Sequence, residues 1–370
     1  MKYLAKELFS KSKIIVDIGT TRIKVIEVSY GARKIKVNKA YVLKDASKFF
    51  KNRDLTNLSS LAEVLIRSFK ENGIKTNKIS LLFSSPSVAV KIIKSPLMAQ
   101  REMKLHAEQL IVSEFGEGKQ LTHISDWSDF GDVYEESETY TPLLITSASK
   151  LVIQSVVLEF TKRKYKITEI DTYATSLYYL STLYDSEYEN PTKAFVDVGN
   201  ASTKITVTHR GQPIFFREFT NGLGTLINDI SAEITFPTGR VGEYIRRIGL
   251  DKNYFSHDVD AIFDKAGIVD DDYMDAVDEA FIAYLKELNR CITHCSQILH
   301  TPINNIILLG GTPLLKGFSS KLSGLTNIQT ENWELMSSIA GDKVTIINNT
   351  DKTIDSSFGP CVGLAIKGVL

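Results

Sequence analysis

Two aspartates each end an apolar run and are followed, at the same offsets, by a glycine and a lysine. They are Asp17, Gly19 and Lys24 in IIVDIGTTRIKVIEV, and Asp197, Gly199 and Lys204 in AFVDVGNASTKITVT. The second stretch lies 180 residues after the first without a gap, and Val16 and Gly31 are matched likewise by Val196 and Gly211. When a glycine lets the backbone fold closely and hydroxyl residues follow it, the amides of the turn face outward as a concave donor site for phosphate oxygens. A carboxylate cannot itself attract phosphate. It makes chemical sense there if a hydrated divalent cation lies between the two. Asp17 and Asp197 are therefore expected to be magnesium-water ligands on opposite walls of a nucleotide cleft. A plain hairpin turn accounts for either copy alone but not for both.

A third glycine-rich turn, Gly310-Gly311-Thr312-Pro313, follows the apolar run 305–309 and precedes Leu314, Leu315 and Phe318, which begin a helical pattern. Glycines there permit close approach of a flat ligand. Two other clusters invite a metal. The run VDDDYMDAVDEAF (269–281) lacks the alternating ligands and central glycine of a calcium loop, and its acids suit a helix N-terminus. In CITHC, Cys291, His294 and Cys295 have no second ligand pair at metal spacing, so a helix carrying small buried thiols is the better reading. His106, His123, His209 and His257 form no recognisable constellation.

The elements that must position these residues follow from pattern. Each Asp-x-Gly copy reads as strand, tight turn, strand, glycine-containing hairpin and third strand (34–42 and 214–219), which implies a duplicated domain. Residues 1–190 form a first lobe, with an amphipathic helix at 57–71 carrying Leu58, Leu61, Leu65 and Phe69 on one face. Within it, about 79–165 is an insert of strand, helix 101–115, polar strand 121–130, acidic loop 135–138, strand 142–146 and helix 151–164. Residues 191–370 form the second lobe, in which 233–300 is mostly helical and 302–370 completes the sheet.

The chain has 370 residues, 43% hydrophobic and 24% charged, enough for two to three domains. Forty-four basic and forty-four acidic residues cancel, so no overall field argues for nucleic acid. Three cysteines suit a reducing compartment. No stretch reads as a signal peptide or membrane span, and the chain is expected to be cytoplasmic. Leu4, Leu8 and Phe9 among the N-terminal lysines form either a short membrane-touching turn or a frayed tail.

In this order and spacing, DIGTT, DVGNAST and LLGGTP resemble the two phosphate loops and the adenosine loop of the superfamily of actin, sugar kinases and DnaK-type chaperones. Within it the chain looks most like the PilM family of type IV pilus assembly, with the FtsA family as nearest relative, and ISLLFSSPSVAVKIIKSPLM, EIDTYATSLYYL and SFGPCVGLAIKG share in the likeness. The resemblance implies an α/β fold, actin-like and ribonuclease H-like, duplicated into two lobes with a small α+β subdomain inserted in the first. It implies ATP and Mg2+ as ligands. Asp17, Gly19, Thr20, Thr21 and Lys24 match the first phosphate loop, with the lysine reaching the β-phosphate. Asp197, Gly199, Asn200, Ala201, Ser202 and Thr203 match the second, Gly222 a glycine near the γ-phosphate, and Gly310, Gly311 and Thr312 the adenosine loop. Glu243, Arg246 and Arg247 match a helix that holds ribose and adenine; a solvated helix face with an ion pair accounts for the arginines equally.

Three departures stand out. Ala201 replaces a second glycine, Asn200 replaces a hydroxyl, and Asp171 stands where chaperones of this class have a water-positioning glutamate. The shorter side chain draws the base back, and such a displacement can cost about 100-fold in rate; Asp171 reads equally as a helix N-cap. At most weak ATPase activity is expected. The implied function is an ATP-binding scaffold whose insert receives the short cytoplasmic N-terminal tail of an inner-membrane partner of PilN type. That partner would recruit the chain to the cytoplasmic face of the inner membrane, with self-association a further expectation. Alternatives are an FtsA-like division protein, disfavoured by the ending Gly368-Val369-Leu370, and a small-molecule kinase, for which only Asp171 offers a catalytic acid.

Overall fold

The first apolar run folds as β1 (Ser12–Ile18), buried from Ile14 to Ile18. A strand apolar on both faces belongs in the middle of a covered sheet, and β1 lies between β2 (Ile23–Gly31) and β4 (Lys78–Phe83). β2 and β3 (Lys34–Leu43) continue antiparallel, whereas β4 is parallel to β1 and β8 (Lys166–Asp171) parallel to β4. The register places Asp17 and Asp171 at one level, each opposite Leu82. The computed structural model describes residues 12–134, 139–184, 192–233, 238–249, 271–341 and 343–370. The N-terminal stretch through Lys11, the acidic loop 135–138 and the segment 250–270 with His257 lie outside the described residues.

Helix α1 (Leu58–Glu71) starts at the N-cap Asn57, whose side chain accepts from the Ser60 amide. Its apolar stripe of Leu61, Leu65 and Phe69 covers Val16, Val25 and Leu81 of the sheet. The insert carries a four-stranded antiparallel sheet in which β5 (Val88–Pro96), β7 (Thr139–Ser149) and β6 (His123–Asp129) lie in that order and the short strand Val133–Tyr134 pairs with the start of β7. Helix α2 (Gln100–Phe115) rests on it through Met103 and Ala107 against Leu143. Two elements expected in the insert join the main layers instead. β4 hydrogen-bonds to β1, and α3 (Lys150–Lys162) sends Val156 and Phe160 into the core beneath α1. Helix α4 (Tyr173–Ser181) follows β8.

In the second half, β9 (Thr192–Val198), β10 (Thr203–His209) and β11 (Gln212–Phe219) repeat the strand–turn–strand–hairpin pattern. Helices α5 (Leu223–Glu233), α6 (Thr238–Ile248) and α7 (Asp271–Leu299) precede β12 (Asn305–Leu309), and α8 (Phe318–Thr326) precedes β13 (Gln329–Asn332). The sheet order β11-β10-β9-β12-β13 repeats β3-β2-β1-β4-β8. The duplication is thus visible in topology, with Asp197 opposite Leu309 as Asp17 is opposite Leu82. Along α7, Phe281, Tyr284, Leu285, Leu288, Cys291 and Cys295 form the buried stripe while His294 is exposed, so the two thiols are core residues.

The last segment corrects an expectation. Contacts divide the chain into Met1–Pro191 with Thr208–Arg217 and Glu334–Leu370, and Thr192–Val207 with Glu218–Trp333. After Trp333 the chain therefore belongs to the first unit rather than the second. β15 (Thr345–Asn348) pairs in parallel with β3, β14 (Ser338–Ala340) pairs with β15, and α9 (Gly359–Lys367) packs on α4. Pairing with the exposed edge of β3 satisfies a row of backbone groups that a local sequence pattern does not register.

Phe69 is 0% exposed and its ring lies 5.7 Å from that of Tyr165. Truncation to alanine removes the largest side chain on the buried face of α1. Phe69→Ala is expected to lower unfolding stability by about 3–5 kcal/mol, read as a lower urea midpoint at an unchanged slope.

Candidate functional site

In the first unit the candidate site is built on the β1–β2 turn. Asp17 is 0% exposed and stands directly opposite Lys24, because four residues, Gly19 to Arg22, close the hairpin. The Lys24 ammonium donates to Asp17 Oδ2 at 2.8 Å, and the Tyr173 hydroxyl donates to Asp17 Oδ1. A buried carboxylate needs such donors, since desolvation without them costs several kcal/mol. Thr20 is half-buried and Thr21 exposed along the turn. Lys24, expected to reach a phosphate, is thus held on the carboxylate of its own loop.

In the second unit the matching pair is looser and its loop more heavily braced. Lys204 Nζ lies 3.6 Å from Asp197 Oδ2 and donates to Ser202 Oγ at 3.1 Å. The Gly199 amide donates to the Ser202 carbonyl, closing the turn at 3.0 Å. Thr203 Oγ1 donates to the Asn221 carbonyl at 2.6 Å and lies 2.8 Å from the Tyr284 hydroxyl. Burial pushes the Tyr284 phenol far above its ordinary range, so it stays protonated and neutral.

The glycine segments close around this second loop. Leu223 and Gly224 amides donate to the carbonyls of Gly199 and Asn200 at 3.0 and 2.8 Å. A Cβ at Gly222 would come within 2.6 Å of the Gly199 carbonyl, so only glycine allows this approach. Gly310 has φ +88 and faces Val198 and the Asp197 carboxylate, and Thr312 Oγ1 donates to the Gly199 carbonyl at 3.2 Å. The expected helix at Leu314 begins only at Phe318; Gly311 to Gly317 is turn. Gly199, Asn200, Ser202, Thr203, Gly222, Gly310, Gly311 and Thr312 therefore meet in one constellation. Glu243 and Arg246 are exposed on α6, with the Arg246 guanidinium lying beside Gly242. The Arg247 side chain lies outside the described residues.

Asp171 is not the N-cap of α4. That position is Thr172, whose side chain accepts from the Thr175 amide, while Asp171 Oδ1 accepts from the Thr172 amide at 2.7 Å. The other Asp171 oxygen is held by the Lys367 ammonium, which also meets Glu169 Oε1 at 2.8 Å; Glu169 Oε2 meets Lys13 at 3.2 Å. Burial opposes the Glu169 charge, but Lys367 and Lys13 outweigh it and hold that carboxyl below its ordinary value. The same two acids outweigh burial at Lys367 and push its pKa up.

The chain matches the family model described as "Type IV pilus assembly protein PilM" over residues 15–369. It belongs to the PilM family. Among solved structures it is similar to one described as "PilM-PilN type IV pilus biogenesis complex", with TM-score 0.73 at 16% identity, covering 97% of this chain and 98% of that one. It is also similar to the ethanolamine utilization protein EutJ from Carboxydothermus hydrogenoformans, with TM-score 0.51 at 12% identity, covering 98% and 93%. These likenesses show the actin-like fold. None of the curated proteins matches in sequence.

In this PilM-family chain, sequence reasoning missed three groups that hold the loops. Tyr173 and Tyr284 come from helices far along the chain, and no local signal marks their partners. Lys367 lies in the C-terminal motif already noted, but its partners on β8 follow only from packing. Lys204 was legible as the repeat of Lys24.

Replacing Lys367 leaves Asp171 and Glu169 without their shared cation. Lys367→Met is expected to cost about 2 kcal/mol at pH 8, a figure reduced because the group is partly exposed. In the wild type, the lowered Glu169 pKa gives stability that is present above its unfolded value and fades as pH falls through the folded value. In the variant, the buried Asp171 instead takes up a proton more readily when folded. Proton uptake by Asp171 narrows the difference first, and the Glu169 contribution is lost only below the ordinary carboxylate range, so the wild-type advantage shrinks as the pH falls toward 3; melting temperatures across pH 3–8 check this.

Proposed function

We propose that this protein binds a magnesium–adenine nucleotide and serves as a cytoplasmic scaffold of type IV pilus, or related secretion-system, assembly. Its partner is the short cytoplasmic tail of an inner-membrane protein of PilN type, which recruits it to the membrane. The observation carrying the reading is family membership over residues 15–369, joined to two topologically equivalent loops each built on a buried aspartate paired with a lysine. Among the described residues no helix is long and apolar enough to cross a membrane.

The donor set fits a hydrated magnesium ion. Asp17 and Asp197 are carboxylates at strand ends, each beside a turn carrying backbone amides and hydroxyls, the chemistry of a hard cation with phosphate oxygens. When bound, the ion would neutralise phosphate charge. Asp17 and Asp197 would hold it through water. Gly19, Thr20 and Thr21, with Gly199, Asn200, Ser202 and Thr203, would donate to phosphate, and Lys24 would supply positive charge nearby. Gly310, Gly311 and Thr312, with Glu243, Arg246 and Arg247, would hold the nucleoside.

Turnover is expected to be weak or absent. Asp171 is committed to the fold: one oxygen accepts from the Thr172 amide and the other is paired with the Lys367 ammonium, which weakens it as a base toward water. A nucleotide would then act by its differential affinity for conformations of the chain. On and beside the insert, Leu105, Leu121, Leu151 and Leu158 are exposed, at 57%, 85%, 74% and 52%. Apolar surface of this kind suits a short amphipathic tail.

Mg-ATP at about 100 times its dissociation constant should raise the melting temperature by on the order of 5 °C. Asp17→Ala and Asp197→Ala should each remove that shift, and an undiminished shift in both would refute the nucleotide assignment. Fluorescence anisotropy of a labelled PilN-type N-terminal peptide should report binding to the full chain. A Leu151→Ser, Leu158→Ser double variant should weaken it by tenfold or more; unaltered affinity would put the tail elsewhere.

A further inference from the structure

Asp17 is met from two sides. Lys24, directly across the hairpin, donates to Oδ2, and the Tyr173 hydroxyl donates to Oδ1. The two donors differ in rigidity. Lys24 is a flexible stem, whereas Tyr173 is 5% exposed and is the first residue of α4, directly after the N-cap. The backbone beneath it is fixed in turn, because Asp171 Oδ1 binds the Thr172 amide and the other Asp171 oxygen binds Lys367 of α9. β8 also brings Asp171 to the level of Asp17 in the sheet. The corner between β8 and α4 therefore places one hydroxyl on one carboxylate oxygen.

We propose that Tyr173 is a positioning residue for the first carboxylate, fixing the rotation of Asp17 so that its remaining lone pairs face the Gly19–Thr21 turn. A phenol suits the task physically. It donates a directional hydrogen bond yet carries no charge, so it orients the carboxylate without opposing a cation as a second lysine would. The second loop is built otherwise: there the buried tyrosine, Tyr284, meets Thr203 Oγ1 at 2.8 Å. The assignment rests on the nucleotide reading above and adds to it a chain of contacts from Lys367 through Asp171 and Thr172 to Tyr173 and Asp17.

The test is Tyr173→Phe in the full chain, which keeps the ring and removes only the hydroxyl. ATP affinity is measured by calorimetry across a magnesium series and in EDTA, alongside the melting temperature without nucleotide. Loss of a hydrogen bond to a charged group should raise the half-saturating magnesium concentration roughly tenfold. Affinity in EDTA should stay within about twofold of wild type, which a merely structural defect would not spare. A magnesium requirement equal to wild type overturns the proposal alone; a wild type indifferent to Mg-ATP overturns the nucleotide reading and this assignment with it. If the variant is too unstable to titrate, a 3-fluorotyrosine at position 173 carries the test. Its fluorine resonance should move with Mg-ATP but not with ATP in EDTA, and a resonance unmoved by magnesium overturns the proposal.

Discussion

A carboxylate buried at the end of a central strand is costly unless a cation and further donors sit against it, and this chain meets that demand twice in the same way. Asp17 faces Lys24 at 2.8 Å and Asp197 faces Lys204 at 3.6 Å, each lysine returning on the next strand. The rest of the architecture follows from keeping those pairs. The strands must be apolar on both faces, and helices must cover them. The intervening turn must be tight enough to bring the lysine back opposite its aspartate.

The two pairs are supported by different means. At the first, side chains do the holding: Tyr173 takes the second oxygen of Asp17, and its own position comes from the β8–α4 corner. At the second, backbone amides and side-chain hydroxyls share the task. Amides at the start of α5 bind the loop carbonyls, Thr312 binds Gly199, and the glycines at 222 and 310 permit contacts that a Cβ would block. A loop braced by backbone has little freedom to adapt to a ligand, whereas one held by side chains can reorient at the cost of a hydrogen bond.

Lys367 links the end of the chain to this arrangement. Its ammonium satisfies Asp171 and Glu169 together and so fastens α9 to β8. Asp171, which the family resemblance put forward as a water-positioning group, is thereby a fastening of the fold. This accords with the proposal of a nucleotide-responsive scaffold.

The sequence by itself determined the duplication, the three loops and most elements around them. Helix α1, expected over 57–71, spans Leu58–Glu71, and β1, β2 and β3 lie on the apolar runs that read as strands, because such signals come from neighbouring residues. The resemblance carried by DIGTT, DVGNAST and LLGGTP reached the family for the same reason. What tertiary structure decided was every contact between residues distant in the chain. Only the sheet showed that Glu334–Leu370 joins the first unit, that α3 lies in the main core, and that Asp171 is bound by Lys367 rather than capping α4. Only packing brought Tyr173 to Asp17 and Tyr284 to Thr203. Periodicity says which face of an element is buried, but partner and register are set by long-range pairing, which leaves no mark in the local pattern.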